Sequence, residues 1–287
     1  MGDLGVTKIL VTGATGNVGR QVVAQLLTEG MGARALLRGT GAAGLPAGVE
    51  VARGDLSEPG TLDAALAGID RVFLIWPFLT TDGAPAVLKA IESHARHVVY
   101  LSSSGVREDA ERQSDPINQL HADMERLIER SGLGRTILRS STIASNALGW
   151  AGQIRSGEVV RGPDIAPAAV IHEGDVAAVA VRALADDGGQ ADARHVLTGP
   201  QILSRAEQVW AIGEAIGRPL RFDGIPAHAA RRQMLADGRP PALVEALLAS
   251  AETRTAANLI SSAVEEVTGA PARTFRQWAS DHAVDFR

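Results

Sequence analysis

The sequence predicts an α/β fold, a Rossmann-type doubly wound parallel sheet with a smaller, mainly helical C-terminal substrate-binding region. Three observations predict it. Short apolar runs of strand length recur through the first half, with helical spacing between most of them. A glycine-rich turn joins the first run to the first helix. The chain of 287 residues, 45% hydrophobic and 21% charged, is long enough for one sizeable core with an appended region.

Taken in order, the first strand is the apolar run 9–11, closed by Thr12-Gly13. A helix opens at Asn17, and Val22, Val23, Leu26 and Leu27 mark its buried face at spacings of three and four. Strand-like runs follow at 35–37, 49–52, 72–75, 98–101 and 136–138, and 41–48 is a short low-complexity loop. This alternation implies a parallel sheet with helices on both faces. It places the nucleotide-binding region in residues 1–150 and a mixed, mainly helical cap in 151–287. Within the second part, 157–167 is rich in Gly and Pro, while a helix at 174–185 and a strand at 195–197 return 171–200 to the sheet. Helices predicted at 205–216, 227–236, 242–251 and 274–283 would then cover the sheet's carboxyl edge, where doubly wound folds bind ligands.

Composition excludes several classes of function. A net charge of −5 gives no clustered basic face for nucleic acid. The chain has no cysteine, which removes disulfides, thiolate zinc sites and cysteine nucleophiles. No His/Asp/Glu grouping has metal spacing, so no metal is expected. The start lacks a basic segment followed by a long apolar run, and no stretch is apolar for long enough to span a bilayer. The expectation is a cytoplasmic protein, monomeric or homodimeric, that meets a small hydrophobic or aromatic molecule rather than nucleic acid or membrane.

The sharpest motif is Gly13-Ala14-Thr15-Gly16-Asn17-Val18-Gly19, placed between strand and helix. Such geometry needs a glycine at the tight turn, a second where backbone approaches a pyrophosphate and a third where helix packs on strand. Amides at the helix N-terminus then face the phosphates. Thr15, Asn17 and Val18 join the three glycines as candidate contacts for a dinucleotide. The second strand ends in Leu37-Arg38-Gly39, with Arg38 where an NAD-type site would carry an acidic residue. A guanidinium there pairs with a 2′-phosphate, so NADP(H) is expected ahead of NAD(H). Asp55 and Leu56 after the third strand, Trp76 after the fourth and Ser102 after the fifth complete the candidate cofactor set. A simple turn aspartate is the alternative for Asp55, and a solvated arginine for Arg38.

These residues resemble the atypical, or extended, short-chain dehydrogenase/reductase superfamily, and within it the NmrA-like NAD(P)-binding group. The resemblance runs through Val11 to Gly19, Arg34-Ala35-Leu36-Leu37-Arg38, Gly54-Asp55-Leu56, Ser131-Gly132-Leu133, Ser145-Asn146 and Ile171 to Ala177. It spans about the first two thirds of the chain. It implies a dinucleotide-dependent oxidoreductase, but the superfamily's tyrosine and lysine, four residues apart, are absent. Counted against that pattern, Ile117 holds the tyrosine-like position and His121 the lysine-like one. The only tyrosine, Tyr100, lies within the fifth strand, and the two lysines, Lys8 and Lys89, lie outside the following helix.

Two routes remain for a proton. His121 donates or relays it, which suits an imidazole titrating near working pH. Otherwise the substrate, a water or a hydroxyl of Ser103 or Ser104 supplies it. Surface or packing roles for His121 and loop roles for the serines are the plain alternatives. Asn146, Trp150 and Ile117 are candidate substrate contacts, with Met234 and Trp278 as further apolar wall; core packing is the alternative for Trp150 and the favoured reading for Trp278, and Asp175 caps its helix or compensates the dipole. The leading reading is an NADPH-dependent reductase of a hydrophobic or aromatic ketone or quinone, with aromatic polyketide tailoring as a specialisation. The competing reading is a non-catalytic NmrA-like sensor that reports its bound dinucleotide to a protein partner. A non-redox use of the cofactor is weakened most by the missing pair.

Overall fold

The computed structural model describes residues 7–39, 41, 44–186, 192–253 and 259–287. Two residues of the 41–48 loop and the first six of the chain lie outside them. The first unit runs β1 (Lys8–Val11), α1 (Asn17–Thr28), β2 (Gly32–Leu37), β3 (Glu50–Arg53), α2 (Leu62–Leu66), β4 (Arg71–Leu74), α3 (Ala84–Glu92), β5 (His97–Ser103), α4 (Pro116–Glu129) and β6 (Gly134–Ser140). A 3₁₀ segment, Ala144–Trp150, then leads to α5 (Ala151–Ser156), β7 (Val159–Pro163), β8 (Ala168–Ala169), α6 (Glu173–Ala185), β9 (Ala193–Leu197) and β10 (Ile202–Leu203). The rest is α7 (Arg205–Ile216), β11 (Arg221–Ile225), α8 (Ala227–Ala236), α9 (Pro241–Thr253), α10 (Ala263–Thr268) and α11 (Phe275–Asp281).

The main sheet has seven parallel strands in the order β3-β2-β1-β4-β5-β6-β9. Its inner strands are buried on both faces, so side chains of alternate residues feed two cores, while the edge strand β3 is largely exposed. Ile9, Val11, Phe73, Val99 and Leu138 face α1 and α6; Leu10, Val72, Val98, Tyr100 and Ile137 face α2, α3 and α4. The order reverses between β1 and β4, which opens the crevice where such sheets take ligands. Thr12 stitches that point together: its hydroxyl donates to the Ile75 carbonyl at 3.1 Å and accepts the Ile75 amide at 2.7 Å.

The C-terminal region differs from the expected helical cap in two respects. Val159–Pro163 and Arg221–Ile225 pair as a parallel two-stranded sheet, because residues within the Gly/Pro-rich passage find a partner about sixty positions later. The tail also does not stay over the carboxyl edge. α9 packs against α4 and α8 against α9, but α10 returns to α6 and α11 to α7. The cause is apolar burial. Ala263 and Val264 join the core of the main sheet, while Phe275, Trp278 and Phe286 fill a third core built from residues after β6. Trp278 is fully buried, so it offers no wall to a substrate cleft.

That docking is sealed by charge at the start of α6. Here His172 is the cap, its Nδ1 accepting from the Gly174 amide at 2.9 Å, and Asp175 lies in the first turn, where a carboxylate suits the helix dipole. Buried Glu173 accepts from the Trp278 indole at 3.1 Å and lies 2.8 Å from His282 Nε2. Asp175 binds the Arg273 guanidinium and amide, each at 2.7 Å. Burial pushes the Glu173 carboxyl up, but the His282 hydrogen bond, its own amide and the charges of His172 and His282 outweigh this and hold it below its ordinary value.

Candidate active site

All strands of the main sheet are parallel, so the loops leaving β1 to β6 gather along one edge. Gly13 takes a positive φ of 60°, which favours glycine, and turns the chain from β1 into the start of α1. Gly16 caps that helix in extended conformation with no side-chain cap, so amides at this end are left for an external acceptor. Gly13, Thr15, Gly16 and Asn17 are exposed, whereas Ala14, Val18 and Gly19 are buried. A Cβ at Gly19 would lie 2.2 Å from the Gly13 carbonyl oxygen; one at Gly16 would lie 3.2 Å from the same atom, on the open side of the turn. The residues present therefore fit a pyrophosphate laid across the turn at the positive end of the α1 dipole.

Arg38 is exposed just beyond β2. Arg34, in the same strand, is turned inward and bound to the carbonyls of Ala65 and Ala67 and to Glu50, so it is not available to a nucleotide. Asp55 forms an Asx turn, its Oδ1 accepting from the Ser57 amide at 2.8 Å. Those Ser57 contacts, and then the charge of Arg38, hold the Asp55 carboxyl low. Asp55, well along the chain from Arg38, thus lies within its electrostatic range. Leu56 and Trp76 are core residues, and the Trp76 indole donates to the Thr80 carbonyl at 2.9 Å. Their side chains are committed to packing, which leaves their backbone to the edge.

Ser102 and Ser103 close β5 and Ser104 follows it, and the first two have their hydroxyls bound. Ser102 is buried and donates to Glu125 Oε1 at 2.5 Å, which commits its hydroxyl to α4. Ser103 donates to Asn118 Oδ1 at 2.7 Å and accepts from the Gly105 amide, so its hydroxyl fastens the loop to α4. Ser104 is exposed, its amide bound to the Ser140 carbonyl. Ile117, half-buried, is the second residue of α4, where its amide donates to the capping carboxylate of Asp115 at 3.0 Å. Asn146 is exposed on the 3₁₀ segment that follows β6. Trp150, at the end of that segment, packs on Phe222 with ring centres 6.4 Å apart and lies 5.9 Å from the Arg205 guanidinium. Met234 packs in the small core of α8 and α9.

His121 is where sequence reasoning fell short. Its Nδ1 lies 2.8 Å from the hydroxyl of Tyr100, the lone tyrosine set aside as a mere strand residue. Burial pulls the imidazole down to about 4 against the raising charges of Glu125 and Asp115, so it does not titrate near working pH. Burial, then Glu125, drives the Tyr100 phenol well above its ordinary value. One strand register along, Ser102 meets Glu125, and Arg139 from β6 grips the same carboxylate through Nε and Nη2 at 3.1 and 2.6 Å. The signal was present. Tyr100 and Ser102 share a face of β5 by the period of two, and His121 and Glu125 share a face of α4 at a spacing of four.

A glycine turn at a helix start, an arginine beyond the second strand and a switch-point crevice define a dinucleotide-binding site of the Rossmann type. The chain belongs to the NAD(P)H-binding family, whose model matches residues 13–187, and it is an NAD(P)H-dependent oxidoreductase. It is 40% identical to the (4-alkanoyl-5-oxo-2,5-dihydrofuran-3-yl)methyl phosphate reductase of Streptomyces griseus, over 97% of this chain and 99% of that protein. It is 35% identical to the NAD(P)H azoreductase of Xenophilus azovorans, over 97% and 99%. The fold matches Citrobacter sp. triphenylmethane reductase with a TM-score of 0.78 at 20% identity, covering 96% of this chain and 99% of that one. It matches the NADPH-dependent quinone oxidoreductase of Escherichia coli with a TM-score of 0.76 at 21% identity, covering 95% and 98%. No helix among the described residues is long and apolar enough to cross a membrane.

Proposed function

We propose that the protein is an NADPH-dependent reductase of hydrophobic, conjugated acceptors, quinones or aromatic ketones, in which His121 is the hydrogen-bond donor to the reacting group. One observation carries this reading: Ile117 and His121 stand where a tyrosine and a lysine would, and that histidine is held neutral. Reducing a simple ketone leaves a localised alkoxide, which calls for a strong, well-placed acid. Hydride addition to a conjugated acceptor spreads the charge over the whole system, so a neutral N–H donor and solvent suffice. The named substrates of the relatives, an acylated unsaturated lactone, azo compounds, quinones and triphenylmethane dyes, are all conjugated acceptors and support the choice.

The bound cofactor supplies hydride. Gly13, Thr15, Gly16, Asn17, Val18 and Gly19 would hold its pyrophosphate through backbone and helix dipole. Arg38 would bind a 2′-phosphate, which favours NADP(H), and Asp55, Leu56, Trp76 and Ser102 would line the rest mainly through main chain. Ile117, Asn146 and Trp150 would place the acceptor, and Ser104 is the serine whose hydroxyl stays exposed. Purified protein, NADPH and a panel of naphthoquinones, polycyclic aromatic ketones and azo dyes test this through loss of reduced-cofactor absorbance. Turnover of conjugated acceptors, much reduced in His121→Ala, is expected. Tight NADPH binding without turnover of any acceptor would overturn the reading and favour a sensor.

A further inference from the structure

Tyr100 is fully buried on the α4 face of β5, and among the described residues its hydroxyl has one hydrogen-bond partner, His121 Nδ1 at 2.8 Å. A phenol must place its proton somewhere, and a buried O–H without an acceptor is costly. If Nδ1 carried a proton, it would donate to the phenol oxygen and strand the phenol's own hydrogen in the core. The satisfied arrangement has Tyr100 donating, Nδ1 accepting and the imidazole proton on Nε2. His121 is half-buried, and no protein group among the described residues binds its Nε2.

We propose that Tyr100 is a positioning residue of the reductase site: its buried hydroxyl fixes His121 in the Nε2–H form, so that a neutral imidazole presents an N–H to the anion formed by hydride transfer. The catalytic part of this inference rests on the reductase function proposed above; the tautomer does not. The groups facing the pair are Glu125 and Asp115, both of which favour the imidazolium, and burial overrides them. Tyr100 stays a phenol for the same reason. In the step itself, two electrons and a hydrogen nucleus pass as hydride to a carbon of the acceptor, and the displaced electron pair settles on the acceptor's oxygen. The His121 Nε2–H hydrogen-bonds that oxygen. A water then gives up the proton that completes reduction and leaves as hydroxide, so the imidazole never loses its own proton. A neutral imidazole used as an electrophile in this way is an established catalytic device.

The test is long-range ¹H–¹⁵N NMR of histidine-labelled protein loaded with NADP⁺, in wild type and Tyr100→Phe, beside turnover of a naphthoquinone. The expected wild-type spectrum shows a protonated Nε2 and an unprotonated, hydrogen-bonded Nδ1 at His121. Tyr100→Phe keeps the ring and removes one hydrogen bond that favours the neutral form, so the pKa of His121 rises. Its kcat falls about threefold to tenfold, the range for one hydrogen bond, while KM changes little. The wild-type profile of kcat is flat from about pH 5.5 to 8, because the donor does not titrate there. A protonated Nδ1 in wild type, or a fall in the His121 pKa in Tyr100→Phe, would overturn the assignment, and the wild-type spectrum decides it even if the variant does not fold. The expected tautomer with undiminished turnover in His121→Ala would instead overturn the role of His121 in reduction, and with it Tyr100 as a positioning residue.

Discussion

Substituting alanine separately at Gly16 and Gly19 divides the glycine turn into two physical roles. At Gly19 the new Cβ would lie 2.2 Å from the Gly13 oxygen, 2.7 Å from its carbonyl carbon and 2.9 Å from Ala14 Cα. All three are backbone atoms, so no side chain can swing aside. Ordinary contact requires the turn and α1 to part by about an ångström, against carbon contacts that are comfortable near 3.5 Å. Overpacking on this scale costs about 1–3 kcal/mol. For a chain of this size that is a fall of several degrees in Tm, at roughly 2–4 °C per kcal/mol. The same movement pulls the helix amides from the phosphate position, so NADPH affinity falls by about tenfold or more. At Gly16 the Cβ meets only the Gly13 oxygen at 3.2 Å, a contact relieved by a shift of a few tenths of an ångström, and the backbone, at φ −79°, suits any residue. Gly16→Ala therefore loses clearly less Tm than Gly19→Ala yet loses affinity, because the methyl occupies space a phosphate needs. Calorimetry for Tm and fluorescence titration with NADPH separate the two. A Gly19→Ala protein with wild-type Tm and affinity, or unchanged affinity in Gly16→Ala, would refute the reasoning.

Arg38→Ala should raise the Kd for NADPH about tenfold or more and leave that for NADH within about twofold, since only one of them offers a phosphate for a charge-assisted bond; equal losses would contradict it. The seal on α6 should respond to pH from both sides. Glu173 sits below its ordinary value, so its share of stability is present above the unfolded carboxylate pKa and lost as pH falls through the folded one. His282 is raised, first by its hydrogen bond to Glu173 and against burial, so its share is complete below about pH 6.5 and lost as pH rises through the folded value. His282→Gln should accordingly lower Tm at pH 5.5 by a few degrees and much less at pH 8.5, read by calorimetry. An equal loss at both values would show that the histidine acts there only by shape.

The sequence exposes local structure well and long-range pairing poorly. Helices at Arg205–Ile216 and Ala227–Ala236 match their predicted limits to the residue, helped by the Ser204–Glu207 capping box and by Pro226. The strand pair β7 and β11 escaped notice because half of each is polar or glycine, and what holds it is a partner distant in the chain. Arg38 and the exposed glycines could be placed from spacing alone, since a strand end fixes which way the next residues face. Spacing could not tell that the hydroxyls of Ser102 and Ser103 are already bound. Nor could it reveal a tautomer: Tyr100 reads as one more apolar-face residue until α4 is laid across it.

The seal on α6 also orders events in time. Glu173 is made about a hundred residues before Trp278 and His282, the donors that bind its carboxylate. While the chain is being synthesised, the nucleotide-binding sheet can pair its strands, but it carries a carboxylate that must stay in water until the last helix arrives. The final helix thus works as a latch. A chain interrupted before it leaves the Glu173 carboxylate without its Trp278 and His282 partners, beside strands that are already paired. A peptide fused beyond Phe286 needs a flexible lead, because that ring is itself fully buried in the closed latch.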